Sequence, residues 1–220
     1  MRFYIVTYLL FVELFTYGQL YNVQVEDRNK TVELTNQAVN KIAENRLDEA
    51  IADLNEALKI DSTFRPTYQN LYKALMQKKD YTTTTIDLLS KAKRIFQEDD
   101  EICYYLGEVY RMNNELKKAV EEYSSAINFS KKNGEDFELV HLYYFNRGNC
   151  YLKMNMIDPA LNDYSYALKL KPDYSYALLN RGICFIKKGN PADACNDWTK
   201  AFEQGNNNAK VYLDKYCKQN

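Results

Sequence analysis

Reactive side chains are scarce in this 220-residue sequence. It contains one histidine, so a Ser–His–Asp or Cys–His site could be built only around His141. Its five cysteines form no CxxC pair, and a single histidine cannot complete a Cys/His zinc set. No glycine-rich phosphate loop is present. These absences predict no catalytic residue, no metal site and no cofactor.

An excess of basic charge is also missing. Lysine and arginine total 29 against 30 aspartates and glutamates, which disfavours a nucleic-acid partner. No apolar run reaches the roughly 20 residues that a stable membrane-spanning helix needs. The hydrophobic content of 46% is instead ordinary for a folded protein, and the 20 tyrosines are interpreted as long core fillers.

What the sequence does contain is an internal repeat. Residues 141–174 superpose on residues 175–208 after a shift of 34 positions. The residues that coincide are Asn146, Arg147, Gly148, Ala160, Asp163 and Ala167 with Asn180, Arg181, Gly182, Ala194, Asp197 and Ala201. A fixed period of this length is typical of stacked-repeat proteins, in which each unit buries its apolar face against its neighbours.

Each unit reads as two helices. Tyr144, Gly148 and Tyr151 share one helical face, and Ala160 and Tyr164 repeat that spacing in the second half. A break at residues 155–158 separates the halves. The small residues stand where two antiparallel helices would have to approach closely, with tyrosines filling the space beside them.

This pattern resembles the tetratricopeptide repeat, with Gly148, Ala160, Ala167 and Pro172 at the small and proline positions of that 34-residue motif. The resemblance implies an all-α, right-handed α-solenoid of about five helix–turn–helix repeats and a C-terminal capping helix. It also implies a non-enzymatic scaffold for protein interactions, similar to exported bacterial proteins of this family. Strand content is expected to be near zero.

The repeat pattern divides the chain as follows: signal peptide 1–18, lead-in 19–30, repeats 31–64, 65–98, 100–133, 141–174 and 175–208, and capping helix 209–220. About seven extra residues precede the fourth repeat. They predict a loop over 130–136 and a backward extension of the next helix through Phe137, Leu139 and Val140.

The N-terminus carries a short apolar run from Ile5 to Val12 after one early arginine, which is typical of a secretory signal peptide. Cleavage is expected after Gly18, and the mature protein is expected to be periplasmic or secreted. Because Glu13 interrupts the apolar stretch, an amphipathic helix of a cytoplasmic protein stays an alternative.

The predicted binding site is the concave groove lined by the first helices of the repeats. Phe145 and Leu179 are expected to supply most of the binding energy, and Asn149 and Asn180 to hydrogen-bond the backbone of a ligand. The full set of groove residues is Tyr104, Glu108, Arg111, Leu142, Phe145, Asn149, Leu152, Tyr176, Leu179, Asn180, Ile183 and Ile186.

The expected partner is a peptide or protein segment of unknown identity. Members of the family that hold a chaperone's C-terminal carboxylate use lysine where this chain has Phe145 and Leu179, so the resemblance disfavours that ligand. The alternative is homo-oligomerisation through the same apolar surface. Outside the groove, His141 is expected on the surface or in a capping role, and Asp158, Asp163 and Asp197 on solvated positions.

One disulfide is predicted, between Cys195 and Cys217. The first lies near the start of the last repeat's second helix and the other near the end of an antiparallel capping helix, so the two should be level. Cys150 and Cys184 occupy equivalent places in successive helices, about 10 Å apart, which is too far for a bond.

Overall fold

The computed structural model describes residues 23–79, 83–134 and 138–217. The chain forms two compact units, Met1–Asp80 (unit 1) and Tyr81–Asn220 (unit 2). Across the described residues every regular element is an α-helix, and the predicted all-α solenoid class is confirmed. The signal peptide expected at 1–18 lies outside the described residues.

The described part of unit 1 contains three helices: α1 (Val25–Ala43), α2 (Leu47–Ile60) and α3 (Arg65–Lys78). Helix α1 packs on α2, and α3 packs on both. The predicted lead-in at 19–30 was wrong for its last six residues, because α1 begins at Val25. Arg28 anchors this first turn through an ion pair with Asp61 (2.7 Å) and a hydrogen bond to Thr63 Oγ1 (2.9 Å).

Unit 2 is a stack of helix pairs closed by a single helix. Its elements are α4 (Thr83–Ile95), α5 (Asp100–Met112), α6 (Leu116–Asn133), α7 (Val140–Lys153), α8 (Ile157–Leu170), α9 (Ser175–Lys187), α10 (Pro191–Glu203) and α11 (Asn208–Tyr216). Helices α5/α6, α7/α8 and α9/α10 form the pairs, and each pair contacts the next. The two helices of the predicted second repeat, α3 and α4, belong to different units.

Glycine permits the close approach within each pair of unit 2. A Cβ added at Gly107, Gly148 or Gly182 would lie 2.7, 2.9 or 2.4 Å from an aromatic ring of the paired helix. The ring belongs to Tyr123 in the first case, Tyr164 in the second and Trp198 in the third. The interpretation of Gly148 as a close-approach position therefore holds in atomic detail.

The turns within the pairs also repeat. Asn114 (φ 63°) and Asn155 (φ 58°) adopt the left-handed conformation that asparagine tolerates, and Gly189 (φ 74°) takes the same role in the last pair. Each asparagine side chain accepts a hydrogen bond from the lysine that ends the next first helix, Lys153 to Asn114 at 2.7 Å and Lys187 to Asn155 at 3.3 Å. These bonds join one repeat to the next along the turn edge.

The loop predicted over 130–136 was wrong for its first half. Helix α6 continues to Asn133 and has 18 residues. Ser130 stays inside the helix because its hydroxyl donates to the Ile127 carbonyl, and the helix ends at Gly134, which has a φ of 108°. Helix α7 begins at Val140, so the extra residues lengthen the preceding helix. Residues 135–137 lie outside the described ranges.

A disulfide between Cys195 and Cys217 joins α10 to the residue after α11, with their Cα atoms 5.7 Å apart. This is the pair that the sequence predicts. Cys103, Cys150 and Cys184 are free and buried. The indole of Trp198 lies beneath α11, where it stacks on Tyr212 at 5.0 Å between ring centroids and contacts Tyr216 at 5.6 Å.

Candidate interaction surface

The first helices of three successive pairs in unit 2, α5, α7 and α9, lie side by side. Their sides turned away from α6, α8 and α10 are called the first-helix face below. All predicted groove residues lie on these helices. Tyr176 is exposed, Glu108 and Leu179 are buried, and the others are half-buried: Tyr104, Arg111, Leu142, Phe145, Asn149, Leu152, Asn180, Ile183 and Ile186.

Two of these residues cannot do what the sequence predicted. Leu179 is only 9% exposed, because α9 lies tightly against α10 and Trp198 Nε1 donates to the Leu179 carbonyl at 3.0 Å. Glu108 is buried, accepts a hydrogen bond from Tyr123 Oη, and is held by Arg111 through two hydrogen bonds of 3.1 and 2.9 Å. Leu179 therefore belongs to the core, and Glu108 is occupied inside the fold.

The apolar part of the face is centred on Phe145. Its ring meets Tyr174 edge-on at 4.9 Å, and Tyr174 lies 5.9 Å from Tyr176. Tyr176 is 56% exposed, compared with 41% for Phe202 and for Tyr216. Ile183 lies two helical turns after Tyr176 on α9 and packs partly against the same core. Sequence reasoning missed Tyr174, which lies in the turn before α9.

A hydrogen-bonded row of amides crosses the face and is called the asparagine bridge below. Asn146 Nδ2 donates to Tyr104 Oη (3.4 Å), and Asn149 Nδ2 donates to Asn146 Oδ1 (3.3 Å). Asn149 Oδ1 in turn accepts from Tyr164 Oη (2.8 Å) and from Asn180 Nδ2 (2.8 Å). The bridge links α5, α7 and α9, and its members Asn146 and Asn180 recur at the 34-residue spacing.

The tyrosines of the bridge act as neutral hydrogen-bond partners. Burial, with a smaller contribution from a neighbouring thiol, raises the pKa of Tyr164, and burial together with the charge of Glu108 raises the pKa of Tyr104. Burial also raises the pKa of Tyr174 to about 12. These phenols stay protonated at neutral pH, so the first-helix face gains no negative charge from them.

Two arginine–aspartate pairs correct the expectation that Asp163 and Asp197 are solvated. The Arg147 guanidinium holds Asp163 by hydrogen bonds of 2.9 and 2.7 Å, and Arg181 holds Asp197 by bonds of 2.7 and 2.8 Å. Both carboxylates are buried. Asp158 is exposed, as expected.

Each guanidinium also reaches the preceding repeat. Arg147 donates to Ser124 Oγ of α6 at 2.9 Å, and Arg181 donates to Ser165 Oγ of α8 at 3.5 Å. The pairs therefore lock three helices together. A signal in the sequence could have revealed them, because the arginine and the aspartate both recur at 34 residues.

His141 is buried, which corrects the surface assignment. Its Nδ1 lies 2.8 Å from the Glu138 carbonyl oxygen, and its ring meets Tyr174 edge-on at 5.0 Å. Burial, with a smaller contribution from the positive charge of Lys171, lowers the pKa of His141. In the described part of the chain no three acidic, histidine or cysteine side chains are grouped so that they could hold a metal ion. None of the described helices has the length and hydropathy to cross a membrane.

Comparison with known proteins gives two matches to family models of the tetratricopeptide repeat, at residues 141–174 and 34–64. Among curated proteins, the chain is 31% identical over 111 residues to the UDP-N-acetylglucosamine–peptide N-acetylglucosaminyltransferase of Giardia intestinalis. The match covers 50% of this chain and 7% of that enzyme. The other curated relatives are likewise matched over no more than 25% of their length.

Solved structures show the same fold. YrrB, a TPR protein with an unusual peptide-binding site, aligns with a TM-score of 0.66 and 22% identity over 86% of this chain and 94% of YrrB. The pilF protein of Pseudomonas aeruginosa aligns with a TM-score of 0.72 and 14% identity over 86% of this chain and 87% of pilF. At these identities the likeness concerns the fold alone.

Proposed function

Because the chain is a tetratricopeptide repeat protein, and such repeats serve as protein-interaction scaffolds, we propose that it is a non-enzymatic scaffold that binds a peptide or protein segment on the first-helix face. The observation that carries this proposal is the exposed Tyr176, at the edge of a cluster formed by Phe145, Tyr174 and Ile183. Exposed apolar surface of this kind marks interaction sites.

The chemistry of the face favours an uncharged, extended segment with apolar or aromatic side chains. The predicted groove positions of α7 and α9 carry no charged side chain. Asn149 Oδ1 already accepts two hydrogen bonds, so a ligand amide could use this oxygen only by displacing one of them. Asn149 and Asn180 are half-buried and each donates one amide hydrogen within the bridge, so the second hydrogen is left for a ligand's backbone carbonyl.

A pair of matched variants tests the proposal. Tyr176→Ser with Ile183→Ser removes two apolar groups from the first-helix face, and Phe202→Ser removes an exposed aromatic group from the end of α10. Burying a side chain of this size contributes about 1.5–3 kcal/mol, so we expect the first variant to bind its partner about 100-fold more weakly. The control should bind as wild type does.

The measurement is capture from an extract of the source cells, followed by titration of the captured partner against each variant after helicity has been checked. Equal binding by the double variant would remove the first-helix face from consideration. Self-association through the same face, the alternative function, is distinguished by the mass in solution, which would rise with concentration for wild type and not for the double variant.

We also propose that the protein is exported. The proposal is supported by the signal-peptide pattern at 1–18 and by the Cys195–Cys217 disulfide, since disulfides persist in oxidising compartments. The intact mass of the native protein is the test. A mass starting near Gln19 supports export, and a retained Met1 contradicts it.

A further inference from the structure

The last described helix, α11, buries the fewest residues of the helices in unit 2. It has nine residues, and Ala209 is its single buried residue, whereas each of α4 to α10 has at least three. A helix of this length does not persist in water without tertiary packing. Its attachment therefore rests on partly buried contacts and on one covalent bond.

The noncovalent part of that attachment is centred on Trp198. Tyr212 stacks on the indole and Tyr216 contacts it at a tilt, while Leu213 packs against the neighbouring core. Tyr216 is itself 41% exposed, so part of its surface already contacts water while α11 is in place. In contrast, Trp198 is fully buried beneath α11 and would become exposed.

The covalent part closes a short loop. Cys195 and Cys217 are 22 residues apart, and the segment between them contains the end of α10, a turn with Gly205 at φ 84°, and all of α11. Both cysteines are half-exposed. The bond constrains the local opening of α11, since an opened helix stays tied to α10 at both ends.

We propose that the Cys195–Cys217 disulfide is a redox latch: reduction releases α11 and uncovers the apolar face of α10, while the repeats beneath stay folded. The reductant is a dithiol. One of its thiolates attacks a sulfur of the disulfide, forms a mixed disulfide and expels the other cysteine as a thiolate, which takes up a proton. The second thiol then displaces the remaining cysteine, so the reductant ends oxidised and the protein ends with two thiols.

The other three cysteines provide an internal control. Cys103, Cys150 and Cys184 are buried, and burial raises the pKa of Cys103 to about 12 and that of Cys150 and Cys184 to about 11. Thiols that are both buried and protonated do not react with alkylating agents at neutral pH. They would react only if the repeats themselves opened.

Hydrogen exchange of the full chain with and without dithiothreitol tests the latch. A disulfide that closes a loop of about this length favours the closed over the opened state of α11 by roughly 100-fold. Amide exchange in α11 should therefore accelerate by about 100-fold on reduction. Exchange in α7 to α10 should change less than about threefold. The fluorescence of Trp198, the only tryptophan, should shift to longer wavelength, and alkylation should label two thiols.

The double variant Cys195→Ser with Cys217→Ser should show the same fast exchange in α11 without reductant, and dithiothreitol should then have no further effect. Unchanged exchange in α11 on reduction of the wild type would overturn the proposal. Labelling of all five thiols on reduction, or a general loss of helicity, would also overturn it, because either result would mean that the disulfide holds the whole of unit 2 folded. Labelling of Cys195 and Cys217 before reduction would show that the disulfide is not formed in the protein.

Discussion

Repeats four (141–174) and five (175–208) share a frame, meaning the contacts that join their two helices. They differ in the side chains on the first-helix face. In both, a first-helix arginine holds a second-helix aspartate by a pair of short hydrogen bonds. In both, a glycine lies against an aromatic ring. These contacts face the interior, and their arginine, aspartate and glycine recur at the 34-residue spacing.

The differences lie on the first-helix face. Asn149 in repeat four belongs to the asparagine bridge, whereas the equivalent residue in repeat five is Ile183, which packs against the core. One core position also differs, since the ring beside the glycine is Tyr164 in one repeat and Trp198 in the other. Positions that recur therefore specify the stack, and positions of the first-helix face that vary between repeats specify what each repeat can bind.

The largest expected effect comes from breaking the shared frame. Burial raises the pKa of Asp163 and the Arg147 guanidinium opposes that shift, so the carboxylate depends on arginine for its charge. We expect Arg147→Met and Arg181→Met each to lower the free energy of unfolding by about 3–5 kcal/mol. Urea denaturation measures this. Adding Asp163→Leu to Arg147→Met should recover most of the loss, and a loss below about 1 kcal/mol in the single variants would mean that water already screens the pairs.

The second effect sharpens the contrast between the two aromatic rings. Gly182→Ala places a methyl group 2.4 Å from the Trp198 indole, and Gly148→Ala places one 2.9 Å from the Tyr164 ring. Overpacking of this kind costs about 1–3 kcal/mol, partly offset by about 1 kcal/mol of helix propensity. Gly182→Ala should therefore destabilise more than Gly148→Ala in thermal or urea unfolding.

The control for the glycine variants exchanges the aromatic ring of one repeat for that of the other. Trp198→Tyr gives repeat five the ring of repeat four, so its cost and that of Gly182→Ala should be less than additive when combined. Additive costs would show that the ring and the glycine do not constrain one another.

The third effect comes from giving the first-helix face of repeat four a residue of repeat five. Asn149→Ile gives repeat four the residue of repeat five and leaves the Tyr164 hydroxyl and the Asn180 amide without their shared acceptor. We expect a loss of about 1 kcal/mol in the free energy of unfolding, because both groups are partly buried. In a double-mutant cycle, Tyr164→Phe should abolish much of that cost. Equal costs in both backgrounds would mean that water replaces the asparagine.

The smallest effect is a pH dependence confined to repeat four, since the residue equivalent to His141 in repeat five is Ser175. Burial lowers the pKa of His141, so the folded state favours the neutral ring and the unfolded chain binds the proton more tightly. The contribution of His141 to stability is complete above the unfolded pKa of about 6.5 and is lost as the pH falls below it.

The difference in unfolding free energy between pH 7.5 and 5.5 should therefore be smaller in His141→Gln than in wild type. Because His141 is the only histidine, its ring proton signal in an NMR titration also reports the pKa directly. A midpoint at or above 6.5 would contradict the prediction.

Much of the frame could be predicted from the sequence because it repeats and is apolar. Gly148, Ala160 and Tyr164 follow the spacing of packed helices, and they pack as expected. Asp163 was misplaced because polarity alone suggests solvent, and only a partner 16 residues away makes its burial favourable. Leu179 was misplaced because helical phase does not show how closely a neighbouring indole approaches. The end of α6 was misplaced because a polar stretch can continue a helix until a glycine ends it.

The bonds between neighbouring repeats also determine how such a chain can lengthen. Arg181 reaches back to Ser165, just as Arg147 reaches back to Ser124, and Lys187 reaches back to Asn155. Suppose that a second copy of residues 141–174 followed Tyr174. Its arginine and lysine could hydrogen-bond to Ser165 and Asn155, and its own serine and asparagine could accept the same bonds from the next repeat. A single tandem duplication in the gene would thus extend the binding face by one module, with the arginine and lysine contacts at the new junction already encoded.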